Sequence, residues 1–531
     1  MTAGTDTAYR STTSAARDGF AQLVHAEWTK LRTVRGWLIG LLVGATLVVG
    51  VGLLAAAATH ASACTIQSAT GQPVCHGIPA PTIGPGGEAV NDGFYFVHQP
   101  LTGDGAIAVR ISSLTGLISS GDAQPGQPMT GATPGVQPWS KAGLIVKTST
   151  TPGSAYAAIM LTGEHGVRFQ YDYTHDTAGI PGAVWATSPR WLRLARSGDT
   201  ITGYDSLDGT HWTEVGSARL IGLPATVPAG LFATSPDYQQ ITNHLGGGES
   251  GTGGPTQATA RFDRLSRQGG WSDSAWTGTQ VSGDQSLSGF TQSGGTWTVR
   301  GSGNIAPQVA GGSDPGQGLE RTLIGTFAGL IALIVVAALF VTSEYRRGLI
   351  RTSLAASPRR GRVLAAKAVV IGAATFIAGL VAAAIVVPIA RHMLRSNGSV
   401  VYPTSTYTEV RMIVGTAALL AVAAVGALAL GTILRRGAGA VTAVIVAIVL
   451  PYILAVASVL PVGAGQWLLR LTPAAAFAVQ QSLIQYPQVA GDYTPTNGYY
   501  PLAPWAGFAV LCGYTAVALL VAAVVLRRRD A

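Results

Sequence analysis

Charged residues are scarce in this 531-residue chain: Asp, Glu, Lys and Arg together account for 11% of it, whereas hydrophobic residues account for 47%. Soluble domains usually carry about 25% charged residues. A mean hydropathy of +0.34 points in the same direction. The composition therefore argues against an ordinary soluble protein and favours a membrane protein.

Motifs for catalysis are missing as well. The sequence has no G-x-x-x-x-G-K-[ST] loop for nucleotide phosphates, no H-x-H or H-E-x-x-H spacing for a metal, and no G-x-S-x-G elbow for a serine nucleophile. We therefore expect no catalytic residue, no metal site and no cofactor in this chain. Energy for any transport would have to come from another subunit.

Six long apolar runs are present instead: residues 37–58, 322–342, 368–389, 412–434, 438–462 and 502–526. Each is close to the length of about 20 residues with which a helix crosses the hydrocarbon core. Lipid offers no partners for backbone groups, so such runs must be helical. Buried helices of a large soluble protein would need this length six times by coincidence. Residues 468–484 are too short for a seventh span and predict short helices at the outer side.

Lys and Arg are unevenly distributed between the segments that flank these runs. With the N-terminus inside, the cytoplasmic segments hold 17 of them and the short outer segments hold five. Cytoplasmic loops carry such an excess, which predicts a multi-pass cell-membrane protein with both termini cytoplasmic. The basic segments would face membrane lipid or a partner protein, and not nucleic acid. Residues 61–63 offer an A-x-A cleavage pattern, but the first run is long for a signal peptide, which favours an uncleaved helix.

The segment between the first two runs has a different character. Residues 59–320 hold 12 basic and 18 acidic residues, and they contain short runs in which apolar and polar residues alternate, bounded by Gly, Asp, Ser and Pro. This pattern predicts strands of a two-sheet sandwich, with a hairpin turn at Asp208-Gly209. Residues 271–310 predict further strands that pair back onto the sandwich, and the glycine-rich residues 246–257 predict a flexible linker. The stretches "GFYFVHQPLTGDGAIAVRI" and "PRWLRLARSGDTITGYDSLDGTHWTEVG" resemble laminin-G-like or concanavalin-like jelly-roll domains.

The predicted fold is therefore an α-helical polytopic membrane protein of six transmembrane helices, with a large all-β, jelly-roll-like extracytoplasmic domain between helices 1 and 2. Its parts are a cytoplasmic N-terminal amphipathic segment (1–35), helix 1 (36–58), the β domain (59–320), and helices 2–6 (321–531) with a cytoplasmic loop at 343–367.

Two sets of side chains in the β domain are candidates for a role. Trp185, Trp191, Tyr204 and Trp212 could stack on carbohydrate, although aromatic residues of a sandwich more often fill its core. Cys64 and Cys75 are on the predicted outer side, where oxidation is permitted. Whether they form a disulfide is left open, since geometry must decide it.

The membrane part resembles a known family. The stretches "HAEWTKLRTVRGW" (25–37), "SEYRRGLIRTSLAASPRRGRVLAAK" (343–367) and "LRLTPAAAFAVQQSLIQYPQV" (469–489), with the terminus "LRRRDA", are similar to actinobacterial ATP-binding-cassette (ABC) permeases of the type-2 exporter class. The resemblance implies six helices per subunit, a dimeric permease and a separate cytoplasmic ABC ATPase. We expect a homodimer, and the sequence leaves a heterodimer open.

The resemblance also suggests roles for the basic segments. Residues 343–354 would form a helix that couples to the ATPase, with Arg346, Arg347 and Arg351 facing it and Leu349, Ile350 and Leu354 packed inward. The predicted coupling residues are Glu344, Tyr345, Arg346, Arg347, Gly348 and Arg351. Residues Glu27, Trp28, Lys30 and Arg35 suit an amphipathic helix at the cytoplasmic membrane surface. Alternatively, the arginines only set the topology.

Two other functions remain open on the sequence alone. A membrane-anchored carbohydrate-binding or adhesion protein would use the sandwich and need only one anchoring helix. An enzyme of the cell envelope would need a catalytic constellation that the sequence does not display. The exporter permease accounts for most of the chain, and the sandwich would bind its substrate or a cell-envelope glycan.

Overall fold

The structure, a computed structural model, describes residues 19–61, 63–66, 73–76, 78–119, 129, 131–182, 188–244, 248–283, 285–312, 314, 316–350, 352, 359–457 and 459–528. The described α-helices are α1 (Phe20–Thr33), α2 (Arg35–Ala58), α3 (Thr326–Arg346), α4 (Arg360–Ser396), α5 (Thr406–Leu434), α6 (Gly437–Val456), α7 (Val462–Leu471) and α8 (Pro504–Arg528). Strands fill the part of the chain between α2 and α3.

Six helices in the described part of the chain are long and apolar enough to cross a membrane: α2, α3 with the 3₁₀ turn that precedes it, α4, α5, α6 and α8. They coincide with the six predicted runs. The fifth run is shorter than predicted, because α6 ends at Val456 and α7 begins at Val462, directly after Pro461. The predicted short helices are α7 and the 3₁₀ helix Pro473–Gln480.

Helix α5 is the centre of the bundle and packs against α3, α4, α6 and α8. Helix α2 packs against α3 and α4, and its contact with α3 is made through small residues. A Cβ atom on Gly329 would lie 2.3 Å from a methyl group of Val48 and 2.8 Å from the carbonyl oxygen of Gly44. Such close approach of backbones is how helices associate where surrounding lipid is as apolar as they are.

The described strands are β1 (Ala63–Ile66), β2 (Pro73–His76), β3 (Thr82–Ile83), β4 (Ala89–Asp92), β5 (Tyr95–Ile118), β6 (Thr133–Pro134), β7 (Lys141–Lys147), β8 (Tyr156–Thr162), β9 (Val167–Tyr171), β10 (His175–Ala178), β11 (Arg190–Ser197), β12 (Thr200–Ser206), β13 (Thr213–Arg219), β14 (Thr226–Thr234), β15 (Tyr238–His244), β16 (Gly248–Gly254), β17 (Thr256–Trp271), β18 (Thr277–Gln280), β19 (Gly289–Ser293), β20 (Thr296–Gly301) and β21 (Ile305–Pro307).

One continuous sheet forms most of the β domain, in the order β10-β9-β8-β7-β14-β5-β11-β12-β13, with β17, β18, β19, β20 and β6 joined to it. The sheet turns at the 24-residue strand β5, which pairs β14 along its first part and β11 further on. Strands β11, β12 and β13 thereby lie over β7, β8 and β9, and apolar side chains such as Ile159, Phe169 and Leu192 fill the space between them. The predicted layers exist, but one folded sheet supplies both.

Local predictions in the β domain are mostly confirmed. Each predicted strand is present, Gly209 adopts a φ of +78° in the turn between β12 and β13, and strands β18 and β20 pair back onto the sheet. The prediction of a flexible linker at 246–257 is wrong for residues 248–254, which form β16 and pair with β15. The error arises because backbone hydrogen bonds hold this hairpin and they do not depend on side-chain composition.

The β domain rests on the loops at one end of the helix bundle. Side chains from β4, from the segment after β21, from the α4–α5 loop and from the segment before α8 form a shared apolar cluster that includes Ala89, Ala310, Val400 and Tyr499. The amide of Gln488 also donates a hydrogen bond of 3.2 Å to the carbonyl oxygen of Thr174 in the β9–β10 turn. We call the end of the helix bundle that contacts the β domain the β-domain end. The opposite end, which carries α1, is called the basic end.

Candidate functional site

Four charged side chains from three helices meet at the basic end. Lys367 of α4 lies between two carboxylates, with its Nζ 2.8 Å from Oε2 of Glu27 in α1 and 2.5 Å from Oε1 of Glu344 in α3. Lys30 completes the group, with its Nζ 3.0 Å from Glu27 and 3.3 Å from Glu344. We call these four residues the ion cluster. Its two positive and two negative charges balance.

Three members of the ion cluster are removed from solvent. The residues Glu27, Glu344 and Lys367 are exposed by 4%, 7% and 1%, respectively. The Nζ of Lys367 also lies 5.3 Å from the centre of the Phe340 ring, a distance at which a cation is attracted to the ring face. Breaking a buried pair by removing one partner costs about 3–5 kcal/mol, because the remaining charge is left uncompensated. The cluster therefore fixes the mutual positions of α1, α3 and α4.

Lys30 is the member that reaches solvent, with its side chain 42% exposed. Its partial burial lowers its pKa, but hydrogen bonds and the negative charges of Glu27 and Glu344 outweigh that effect, so the pKa of Lys30 ends above its ordinary value. Lys30 therefore stays positively charged at neutral pH. Its ammonium group caps the buried pair of carboxylates on the solvent side.

An exposed basic surface lies directly after the ion cluster in the chain. Helix α3 ends at Arg346, and the exposed residues Arg346, Arg347 and Gly348 follow Glu344 within one turn. Gly348 has a φ of +68°, which favours glycine and turns the chain away from the helix axis. Tyr345 is half-buried, and the guanidinium group of Arg435 lies 5.3 Å from the centre of its ring. Arg351 lies outside the described residues.

Two details differ from the sequence-based interpretation of this segment. Leu349 was expected to pack inward, but it is 48% exposed, whereas Ile350 is buried as expected. The chain turns at Gly348, so a single helical face does not continue from Arg346 to Leu349. Glu344 was predicted as a coupling residue without an assigned partner, and the structure places it inside the bundle, bonded to Lys367 and Lys30.

Lys367 was not among the predicted functional residues, although its position in the sequence gives an indication of its role. Glu344 and Lys367 stand at the ends of apolar runs, and Glu27 lies in the segment before the first run; an unpaired charge would be costly if it were buried there. The presence of two carboxylates and one ammonium group in such positions already indicated that they pair with one another. The sequence does not show which helices are neighbours, so it could not name the partners.

The N-terminal segment is helical as predicted, since α1 spans Phe20–Thr33. It buries Glu27 and Leu31 and packs against α4. Trp28 is 41% exposed, and Arg35 is exposed at the start of α2. An amphipathic helix at a membrane surface remains a prediction for this element.

Further arginines surround the basic end. Arg360 donates a hydrogen bond of 2.8 Å to the carbonyl oxygen of Leu526, which ties the start of α4 to the last turn of α8. A cation at that position satisfies a carbonyl that the helix leaves free and complements the negative end of its dipole. The arginines that are exposed here are Arg32, Arg35, Arg346, Arg347, Arg359, Arg362, Arg436, Arg527 and Arg528.

The aromatic candidates of the β domain do not form one group. Trp191 and Tyr204 are on neighbouring strands, on the sheet face opposite the buried Leu192, and each ring has an arginine over it: Arg264 at 5.9 Å and Arg193 at 5.7 Å. Both rings are half-buried. Trp212 is half-buried between the hairpin turn and β13, and Trp185 lies outside the described residues.

The two cysteine candidates face each other in the backbone register, because Cys64 of β1 is the Cα partner of Cys75 of β2. Their side chains lie outside what the structure describes. Among the described residues, no three His, Cys, Asp or Glu side chains are grouped so that they could hold a metal ion.

The family model for the ABC-2 family transporter protein matches residues 144–531. The chain belongs to this family. It is therefore a multi-pass membrane protein and the permease subunit of an ABC transporter, a transport component whose family implies an ABC ATPase as partner. The match begins within β7, so α1, α2 and the first strands lie before it. No curated protein matches the sequence.

Several solved structures resemble part of the chain, at low identity and low TM-score. A functionally unknown protein from Saccharomyces cerevisiae is 15% identical with a TM-score of 0.19, over 33% of this chain and 74% of its own. Scytalido-glutamic peptidase is 10% identical with a TM-score of 0.23, over 39% and 98%. The GH43 BlXynB protein from Bacillus licheniformis is 15% identical with a TM-score of 0.18, over 31% and 27%. These likenesses are too weak to carry an argument about function.

Proposed function

We propose that the chain is the permease of an ATP-driven exporter, energised by a separate cytoplasmic ATPase that docks on the basic end. The ion cluster is the observation that carries this proposal. It links three helices rigidly, directly beside the exposed residues Arg346 and Arg347. The absence of a P-loop from the sequence requires the nucleotide to be hydrolysed elsewhere.

The orientation follows from charge. The excess of arginine at the basic end favours the cytoplasm for both termini, and the β domain then lies outside the cell. The same arginines attract anionic lipid of the inner leaflet. Two copies of the chain would form the transport pathway, as the resemblance to type-2 exporters implies.

In the proposed coupling, a movement of the end of α3 is transmitted to α4 and α1 through the ion cluster. An ATPase that moves the end of α3 through Arg346 and Arg347 would displace Glu344, since it lies one turn or less away. Glu344 is bonded to Lys367, and Lys367 is bonded to Glu27, so α4 and α1 must move with α3. Packed elements of this kind shift as rigid bodies and do not deform gradually. Motion at the basic end would thus reach α4, which runs for 37 residues to the β-domain end.

The β domain would act on the outer side, as a jelly-roll-like module that binds the exported substrate or a cell-envelope glycan. The half-buried rings of Trp191 and Tyr204 on one sheet face support this part. A glycan array with the purified chain tests it, and a lack of binding to every glycan would remove it. If the chain were an adhesion protein, its function would need only this sheet face, and that function would not account for the ion cluster.

The coupling proposal is tested with charge reversal. The double variant Arg346→Glu/Arg347→Glu, co-expressed with the ABC ATPase that co-purifies with the unmodified chain, should lose at least about tenfold in complex formation, since two attractive contacts become repulsive. Co-purification and ATP-dependent phosphate release measure the effect.

The matched control is Arg527→Glu/Arg528→Glu, which makes the same change of charge at the end of α8. It should keep complex formation within about twofold, because long-range attraction alone is screened by salt over about 8 Å. Equal losses in the two variants would show that the ATPase responds to net charge and would refute a docking surface at Arg346 and Arg347. Unchanged assembly and hydrolysis in the first variant would refute it as well.

A further inference from the structure

A cavity of about 350 Å³ lies at the junction between the β domain and the helix bundle. One wall is the turn before β4, including Gly86 and Glu88, and the others come from the α4–α5 loop and from the segment before α8. It therefore forms only when the two halves of the chain come together. Its position places it next to the β-domain end of α5, which begins at Thr406 after Ser405 of the cavity wall.

Glu88 lines this cavity, and one of its two carboxylate oxygens lacks a hydrogen-bond partner among the described residues. Its Oε1 atom is shielded from solvent and accepts no hydrogen bond from any residue that the structure describes. The carboxylate lies against the turn, where a Cβ on Gly84 would be 2.3 Å from Oε1 and a Cβ on Gly86 would be 2.4 Å from Oε2. Two glycines thus make room for this side chain, which is partly buried as a whole. A shielded oxygen without a partner is a position at which a hydrogen-bond donor of a ligand would be favourable.

Three tyrosines form much of the remaining wall. Tyr499 and Tyr402 are 1% and 5% exposed, and Tyr486 is half-buried. Burial raises the pKa of Tyr486 to about 12, and the negative charge of Glu88 contributes, which places the two side chains close together. All three tyrosines therefore stay neutral at physiological pH. Neutral aromatic rings attract cations through their electron-rich faces.

Charge in the cavity has one sign. Among the residues that the structure describes, its lining includes Glu88 and contains no Lys, Arg or His. An anion would be repelled by Glu88, and a neutral sugar would leave the carboxylate without a counter-charge. A carboxylate beside aromatic rings is the combination that recognises an ammonium group.

We propose that this junction cavity binds an alkylammonium group, with Glu88 as its counter-charge and Tyr402, Tyr486 and Tyr499 as its aromatic walls. The group can belong to a soluble or exported amine or to the headgroup of a membrane lipid. Binding would join the β domain to the bundle, because the cavity has walls from both. The proposal goes beyond the exporter function and holds whether or not the chain transports anything.

The test is calorimetric titration of the full chain, purified in a maltoside detergent, with choline. Its matched probe is the neutral isostere in which a tert-butyl group replaces the trimethylammonium group. Choline should bind at least about tenfold more tightly than the isostere, since cation–π and charge contacts of about 1.4 kcal/mol or more correspond to that factor. Equal affinity for the two probes would overturn the proposal.

Variants locate the site. Glu88→Gln keeps the size of the side chain and should weaken choline binding about tenfold, and Tyr486→Leu should weaken it about threefold. Glu164→Gln removes an exposed carboxylate elsewhere on the β domain and should change nothing. If Glu88→Gln does not fold, the Tyr486→Leu result decides, and choline affinity equal to that of the unmodified chain overturns the proposal.

Two lipid environments distinguish the sources of the ammonium group. Weaker binding of free choline in nanodiscs of phosphatidylcholine than in nanodiscs of phosphatidylglycerol would assign the cavity to a lipid headgroup, because the lipid competes. Equal binding in the two would assign it to a soluble or exported amine. Neither measurement involves ATP, so failure here and failure of the coupling proposal are separate results.

Discussion

Each half of the chain buries a lysine, and the two are held differently. Lys147 of the β domain is fully enclosed, with its Nζ 2.7 Å from Asp92, 3.1 Å from the carbonyl oxygen of Ser154 and 3.3 Å from the hydroxyl of Tyr173. Lys367 of the bundle has two carboxylates from two other helices, and Lys30 connects its cluster to solvent.

The difference separates a charge that is enclosed within one domain from one that joins three separate helices. All three donors of Lys147 are satisfied within one domain, and the rings of Phe94, Tyr156 and Tyr173 surround its Nζ at 5.6–5.7 Å. Rearranging this site would require unfolding the domain. The ion cluster instead spans elements that are far apart in the sequence, at the end of the bundle where we propose that a partner acts.

The largest effect should come from Lys147→Met, which leaves the buried Asp92 without its positively charged partner, although the backbone N–H of Gly153 still donates to it. The free energy of unfolding of the β domain should fall by about 3–5 kcal/mol. Thermal unfolding followed by circular dichroism of the strands measures it. The double variant Lys147→Met/Asp92→Asn should recover part of the loss, since no uncompensated charge remains. A double variant less stable than the single one would contradict this account.

A smaller loss, about 3 kcal/mol, is expected for Lys367→Met, because Lys30 still compensates one of the two carboxylates. The helices should unfold at lower temperature in detergent, while the β domain should be unaffected. Arg391→Met is the control: it breaks the partly exposed pair of Arg391 with Glu409, 2.6 Å apart, which should cost about 0–1 kcal/mol. If the two variants lower the free energy of unfolding by the same amount, the ion cluster stabilises the bundle no more than a partly exposed ion pair does.

The smallest effect concerns pH. Lys141 of β7 is fully buried and donates a hydrogen bond to the carbonyl oxygen of Ile305. Burial lowers its pKa to about 7; the negative charge of Asp176 opposes this shift, and the positive charge of Arg168 adds to it. Between about pH 7 and pH 10.5 the unfolded chain holds a proton that the folded chain has released, so stability should rise with pH in this window, by at most about 1.4 kcal/mol per unit.

Lys141→Met should flatten that rise, whereas Arg219→Met, which removes an exposed charge that does not titrate there, should leave it intact. Unfolding temperatures of the three chains between pH 6 and pH 9 decide the matter. An unchanged slope in Lys141→Met would show that another group causes the pH dependence. This result would also distinguish the contribution of Lys141 from that of Lys147, whose pKa is likewise lowered by burial, although Asp92 opposes that shift.

Sequence patterns predicted the elements well where the pattern is local. Spans of about 20 apolar residues and strands with period two both follow from how one element meets its surroundings. The prediction of a linker at residues 246–257 was wrong for β16 because composition describes side chains and the hairpin is held by backbone pairing. The inward position of Leu349 was wrong because the turn at Gly348 ends the helical face.

The candidate sites were predicted less completely. Arg346 and Arg347 are exposed as the coupling interpretation requires, but the meeting of Glu344 with Lys367 and Glu27 was not foreseen. Lys367 and Glu27 are 340 residues apart. Their contact depends on which helices pack together. Apolar runs of similar composition do not show which helices will be neighbours.

The sequence by itself determined the six spans, the strands between the first and second of them, and the basic character of one set of loops. Only the tertiary structure decided which charges pair and where a cavity opens. Hydropathy and strand periodicity act over a few residues and survive in any arrangement of the elements. The ion cluster and the cavity beside Glu88 exist because distant segments are brought within hydrogen-bonding or van der Waals distance, and such contacts are short-ranged.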